Sequence, residues 1–316
     1  MTGSVAADDP GDGTVRIGTR GSALALAQSG MVGEAIAAAT GRPYELVRIR
    51  TAGDVDRAPL AQIGGTGVFV TAVREALADG RVDVAVHSFK DLPTAPDARI
   101  VLAAVPLRAD PADVLCAAGS WTVDSLPADA RIGTGSPRRA AQLRRLRPDL
   151  RPVEIRGNVD TRLRAVGGRV DGVILAHAGL SRLGRLGAVT YAFGVEEMLP
   201  APAQGALAVE CRAGDDGMIA AIAAIDHAPS RQTAAAERAL LAGLEAGCAA
   251  PVGAFAAVVD GLLRLHARVI AADGSHALDH RAEGSPDEAA RIGAAAAAAL
   301  LADGAAALMG RVPEPS

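Results

Sequence analysis

Short β-branched runs alternate along the chain with Ala- and Leu-rich segments of helical period, the pattern of βα units around a largely parallel sheet. Val15–Thr19 predicts a strand, Ser22–Ala39 a helix and Glu45–Arg50 the next strand. Beyond a Gly-rich loop at 64–67, Val68–Ala78 predicts a helix and Val82–His87 a strand, and this first block ends near Pro106. A second block repeats the alternation: strand Arg131–Thr134, helix Arg138–Leu146, strand Val153–Arg156, helix Val159–Val166, strand Gly172–Ala176 and helix Ala178–Leu183. Leu199–Glu210 reads as a loop and a strand, and Met218–Ile225 as a helix. From Ser230 the period changes. A helix over Gln232–Ala246 is followed by three strand-like runs (252–259, 262–271, 276–283) separated by Asp-Gly and Ala-Asp-Gly turns, then a helix from Pro286. The expected architecture is two α/β lobes, joined by short crossings near 107–112 and 198–206, and a small α+β domain with an antiparallel sheet. In open α/β sheets ligands sit beyond the carboxyl ends of strands, so strand-to-helix turns are where chemistry belongs.

The 316 residues are half apolar and 22% charged, enough for two or three domains with their own cores. That excludes a disulfide-stapled miniature fold and a disordered chain. The opening MTGSVAADDPGDG is acidic and Gly-rich with no apolar core, which predicts a disordered tail over residues 1–13 and no signal peptide. The Ala-rich runs near 23–39 and 294–308 are broken by Gln28, Glu34, Asp303 and Gly304, short of the ~20 apolar residues that a span requires. Cys116, Cys211 and Cys248 lie far apart without C-x-x-C or zinc spacing, which points to a reducing compartment and no metal. The expectation is a cytoplasmic, monomeric protein with no membrane partner.

Charge alters this picture. The formal net charge is −4, yet of the 32 basic residues only Lys90 is a lysine. Codon usage in a GC-rich genome accounts for part of that bias. Between Arg131 and Arg185, however, 13 arginines face four acids, Asp149, Glu154, Asp160 and Asp171, so a mildly acidic chain contains a concentrated anion receptor. No aromatic residue falls in this stretch, so bases would find no stacking platform, and a nucleic-acid partner is not expected. A smaller polyanion bearing carboxylates or phosphates fits better.

Gly133–Arg139 follows a predicted strand and opens a helix, with Ser136 as N-cap and Pro137 in the first turn, an anion site made of N–H groups and arginines. Similar turns recur at Gly18–Ser22 and Arg156–Arg162. Arg144, Arg145, Arg147 and Arg151 fall late in a helix or beyond it and read as solvated surface. His87–Pro93 ends a strand and holds the adjacent Lys90 and Asp91, a carboxylate for acid/base work beside a cation for a substrate carboxylate. A lone lysine also admits a Schiff-base reading. His87 is either a base or a packed histidine. Cys248 stands just past a helix end that Gly247 can terminate, open to a reactive role, whereas Cys116 and Cys211 lie in apolar strand-like runs.

Taken together, these segments resemble the porphobilinogen deaminase (hydroxymethylbilane synthase) family. The pieces are Ile17–Ser22, Gly64–Phe69, His87–Pro93, Gly133–Arg139, Arg156–Arg162, Ala178–Arg182, Pro202–Gly205 and Leu244–Cys248, in family order from about residue 14 to 312. The resemblance implies two periplasmic-binding-protein-like α/β lobes flanking a cleft. Residues 14–108 with 204–225 would form the first lobe, 109–203 the Arg-rich second, and 226–316 the C-terminal α+β domain. It implies a transferase that polymerises four porphobilinogen molecules, with loss of ammonia, onto a dipyrromethane cofactor, and releases a linear tetrapyrrole. It places the cofactor thioether on Cys248, makes Asp91 the catalytic carboxylate, and gives the cofactor Lys90, Thr134, Ser136, Arg138, Arg139, Arg156 and Gln204. Substrate falls to Arg20, Ser22, Phe69, Arg162 and Arg182. Each pyrrole carries an acetate and a propionate, so the fully extended chain bears about twelve carboxylates, which guanidinium forks pair bidentately.

The chain departs from the family pattern where lysines are frequent before Phe69, since Gln62 and Thr66 stand there; Gly135 replaces a frequent Ser and Phe89 a common Met. Two other readings remain at this point: a two-lobed anion receptor without catalysis, and a Schiff-base enzyme using Lys90.

Overall fold

The computed structural model describes residues 13–49, 67–247 and 250–310. The expected tail, apart from Gly13, lies outside the described residues, as do Gln62, Thr66, Cys248 and the side chain of Phe69.

Strand β1 (Val15–Thr19) is buried almost throughout, as expected for the middle of a sheet covered on both faces. Ser22 caps helix α1 (Ala23–Thr40), its hydroxyl accepting from Ala25 N at 3.3 Å. Strand β2 (Tyr44–Arg48) pairs parallel with β1 on one side. Helix α2 (Gly67–Ala78) leads to β3 (Val84–Ser88), parallel on the other side, and β4 (Ile100–Ala104) follows before the chain crosses to a second sheet. That sheet comprises β5 (Asp113–Ala117), β6 (Arg131–Gly133), β7 (Arg151–Val153), β8 (Gly172–Ala176) and β9 (Tyr191–Ala192) in the order β7-β6-β8-β5-β9. Helices α3 (Pro137–Leu146), α4 (Val159–Leu163) and α5 (His177–Arg182) connect its strands. The chain then returns as β10 (Leu207–Arg212), which inserts between β3 and β4 to give the first sheet the order β2-β1-β3-β10-β4.

Both sheets are mixed, which corrects the largely parallel expectation. Strand β10 runs antiparallel to β3 and β4, and β5 runs antiparallel to β8 and β9. Each enters its sheet directly from an inter-lobe crossing, with no helical crossover of the kind that parallel neighbours need. Two smaller differences have local causes. Pro152 fits β7 because that strand is an edge, so pairing begins at Arg151 and not at Val153. Helix α4 ends at Leu163, short of Val166, where Arg164 already acts as its C-cap.

After α6 (Asp216–Ala223) comes α7 (Ala228–Gly243), then the antiparallel strands β11 (Val252–Val259), β12 (Leu262–Ile270) and β13 (Ala277–Gly284), then α8 (Ala289–Ala302) and α9 (Ala305–Leu308). Leu240, Leu244, Leu263, Leu265, Ile292 and Leu300 form the core of this unit. Helices α7 and α8 cross so closely that a Cβ on Gly293 would sit 2.0 Å from Ala236 O, so only glycine fits there. Among the described residues, no helix is long and apolar enough to cross a membrane.

Candidate functional site

Lys90 and Asp91 stand at the carboxyl end of β3, where the chain leaves the strand through one 3₁₀ turn over Phe89–Asp91. Phe89 N donates to Ala206 O at 3.0 Å and Leu92 N to Phe89 O at 3.3 Å, and the buried Phe89 ring anchors the turn. Lys90 Nζ donates to Gln204 Oε1 at 3.1 Å. Burial, reinforced by the Arg139 charge, pushes the lysine pKa down to about 8 against the opposing pull of Asp91 and Asp113. The half-buried Asp91 carboxylate makes no hydrogen bond or ion pair with any other described residue.

Asp113, the first residue of β5, is fully buried and surrounded by donors. It accepts from Arg138 Nη1 at 2.7 Å, from Arg139 Nε at 3.0 Å and Nη2 at 2.7 Å, and from Gln204 Nε2 at 2.8 Å. Burial alone would raise its pKa; the two arginine charges and their hydrogen bonds overcome that and hold the group well below the usual carboxylate range. Arg138 also donates to Leu199 O, and Arg139 Nη1 to Ile174 O at 3.1 Å. The two arginines expected to hold a cofactor thus spend much of their donor capacity inside the second lobe, with a net charge of one over the trio. Gln204, on the returning crossing, bridges this trio to Lys90 and also donates to Pro111 O at 2.7 Å. The next residue, Gly205, has φ +88°, and a Cβ there would lie 2.3 Å from Ala109 O, so the two crossings touch backbone to backbone.

Other expected residues fall around this cluster. Arg162 donates Nε to Gly157 O at 2.9 Å, and its pKa is lowered by burial and by the Arg139 charge, which places it beside the cluster. Arg182 donates to Gly205 O at 2.6 Å, and burial takes its pKa down to about 10. Arg20 follows β1, and its charge weighs against protonation of His87. Arg156 is exposed and turned onto Glu154, Nη2 to Oε1 at 2.7 Å, so it is not brought to the cluster. The hydroxyls serve the backbone: Thr134 Oγ1 accepts from Ser136 N at 3.1 Å, Ser136 Oγ from Arg139 N at 3.4 Å, and Ser22 caps α1. His87 is a packed histidine. Burial takes its pKa down to about 4 despite Glu210 at 3.5 Å, so it is neutral at pH 7.

Two residues that matter here escape sequence reasoning. Asp113 lies upstream of the Arg131–Arg185 stretch, so a charge count over that stretch misses its counter-ion; an acid opening the apolar run Asp113–Ala117 was the available signal. Glu237, buried on α7, accepts from Arg108 Nη1 at 2.7 Å and Nη2 at 3.0 Å, from Ala256 N at 2.7 Å and from Ala203 N, and so ties both crossings to the C-terminal sheet. Helical period alone does not distinguish it from a surface glutamate.

Two α/β lobes share a cation-rich junction in which Asp91, beside the chain's single lysine, is engaged by no other described residue, and this defines a two-lobed α/β protein whose junction can take a small polyanion. Comparison with known proteins supplies the rest. Residues 15–220 match the family description "Porphobilinogen deaminase, dipyromethane cofactor binding domain", and residues 231–302 match "Porphobilinogen deaminase, C-terminal domain". The porphobilinogen deaminase of Leifsonia xyli subsp. xyli is 54% identical over 96% of this chain and 97% of its own length. That of Thermobifida fusca is 57% identical over 83% of each chain, and that of Nocardia farcinica 52% identical over 93% of this chain and 88% of its own. The chain belongs to the porphobilinogen deaminase family: it is a transferase of tetrapyrrole biosynthesis with a dipyrromethane cofactor. Among solved structures, an ABC transporter periplasmic substrate-binding protein from Coxiella burnetii aligns with this chain at 17% identity and a TM-score of 0.43, over 71% of this chain and 96% of that one.

Proposed function

We propose that Asp91 is the catalytic carboxylate of this transferase, that the cations around Lys90 hold its pyrrole carboxylates, and that Cys248 carries the cofactor. The observation that carries this reading is the contrast around Lys90. Asp91 is the carboxylate there that no described residue engages, whereas Asp113 is saturated. Loss of ammonia from porphobilinogen and attack by the next ring both develop positive charge on a pyrrole, and a fixed carboxylate stabilises it and takes or gives a proton at the reacting carbon. The donor set fits a group bearing carboxylates: Arg138 Nε and Arg182 Nε are buried without a hydrogen-bond partner among the described residues. Lys90, Arg139, Arg162 and Arg182 would hold the acetates and propionates, with Arg20 beside the incoming substrate and Phe69 stacking on it. When bound, dipyrromethane supplies the nucleophilic pyrrole carbon at which the chain is extended. Gln204 holds Lys90 as a cation donor across the junction, and a lysine with a pKa of about 8 is mostly protonated at pH 7.

The protein works as a cytoplasmic monomer on a small-molecule substrate, without nucleic-acid or membrane partners; the buried, unpaired Cys116 and Cys211 support a reducing compartment. Intact mass with porphobilinogen turnover tests the reading. The protein should carry two pyrrole units, colour with acidic p-dimethylaminobenzaldehyde and release ammonia, and Cys248→Ser should abolish all three. An unmodified, colourless wild-type protein that binds porphobilinogen without turnover would support a receptor, and borohydride trapping at Lys90 a Schiff-base enzyme.

A further inference from the structure

The turn that carries Lys90 and Asp91 is gripped from outside its own lobe. Arg238, on α7 of the C-terminal unit, places Cζ 4.6 Å from the centre of the Phe89 ring. Its Nη1 donates to Phe89 O at 3.2 Å and Leu92 O at 3.0 Å, and its Nη2 to Pro93 O at 2.6 Å. These carbonyls bracket Asp91 on both sides. A planar guanidinium can stack on a ring and span three carbonyls at once; an ammonium cannot. The helix behind it is itself fixed, because the neighbouring Glu237 is buried and bonded to Arg108 and to Ala256 N. Asp91 has no side-chain partner among the described residues to orient it, so the direction of its carboxylate depends on the backbone of this turn.

We infer that Arg238 is a positioning residue for the reaction: it locks the Phe89–Pro93 backbone so that the Asp91 carboxylate meets the reacting pyrrole in one orientation. The inference rests on the role proposed for Asp91. It is tested in the adduct-bearing enzyme with Arg238→Gln and Arg238→Lys, reading kcat, KM, Tm and backbone amide exchange over residues 88–93. Arg238→Gln should lower kcat roughly 10- to 100-fold with KM within about twofold. Its Tm should shift by no more than a few degrees, and exchange over 88–93 should quicken. Arg238→Lys, which keeps the charge on Phe89 but not the three-carbonyl span, should recover part of kcat. Unchanged exchange over 88–93 would overturn the inference, as would wild-type kcat, or a kcat loss that merely tracks a fall in Tm. Exchange decides equally for any variant that does not acquire the adduct. An Asp91→Asn enzyme with full turnover would instead remove the proposed role of Asp91, and would leave the exchange result standing.

Discussion

Asp91 and Asp113 both bear electrostatically on Lys90, one from each lobe, and the protein treats them in opposite ways. Asp113 opens β5 with no solvent exposure and four hydrogen bonds from Arg138, Arg139 and Gln204. Asp91 sits on a half-buried turn with no hydrogen bond at all among the described residues. A buried carboxylate left without donors would be costly, so Asp113 must be saturated and is thereby spent on structure. A carboxylate that is to meet a cationic reacting centre must keep its lone pairs free. The same difference separates the arginines: Arg138 and Arg139 bond the buried Asp113, while Arg162 and Arg182 donate to backbone carbonyls.

The largest stability effect should come from the saturated side. Asp113→Asn leaves two guanidinium groups buried with their charge uncompensated and should cost about 3–5 kcal/mol in urea unfolding; a cost under ~1 kcal/mol would erase the contrast. Gln204→Ala removes the bridge between the two regions and strands the Lys90 ammonium and one Asp113 lone pair, for about 1–3 kcal/mol by the same measurement.

The titrations sharpen the comparison at the two ends of the pH range. Asp113 has a lowered pKa, so its stabilisation is present above the ordinary carboxylate value and is lost as pH falls below it. Lys90 also has a lowered pKa, about 8 against 10.5, so between those values the unfolded chain binds more protons and its contribution to stability rises with pH. Its use as a cation runs the other way. KM for porphobilinogen should climb severalfold as pH passes about 8, and Lys90→Arg should move that climb to higher pH; a flat KM from pH 7 to 9 would mean that Lys90 holds no substrate carboxylate. The smallest effect belongs to an exposed pair. Arg156→Gln breaks the contact with Glu154 and should change stability by less than ~1 kcal/mol.

Particular residues show what the chain declares of itself. Val15–Thr19 is a short β-branched run and Gly172–Ala176 an uninterrupted apolar one, and both are strands at the expected bounds. The direction of a strand is not written in its composition, so the antiparallel entry of β5 and β10 was illegible, and β4 was not marked off from its surroundings. In the site, Lys90 and Asp91 were legible because the lysine is unique and the pair ends a strand. Asp113 was hidden because its partners Arg138 and Arg139 lie 25 and 26 residues further on. Arg238 was hidden because a helical Glu-Arg pair looks solvated until the packing of α7 against the Phe89 turn is seen.

The central claim, that the unengaged carboxylate carries the chemistry and the saturated one does not, is tested most directly by Asp91→Asn in the adduct-bearing enzyme, reading ammonia release from porphobilinogen beside the melting temperature. The substitution keeps the shape and removes the charge. Ammonia release should fall by about 10²–10⁴-fold with the melting temperature essentially unchanged. Release at the wild-type rate, or a loss explained by unfolding, would contradict the account.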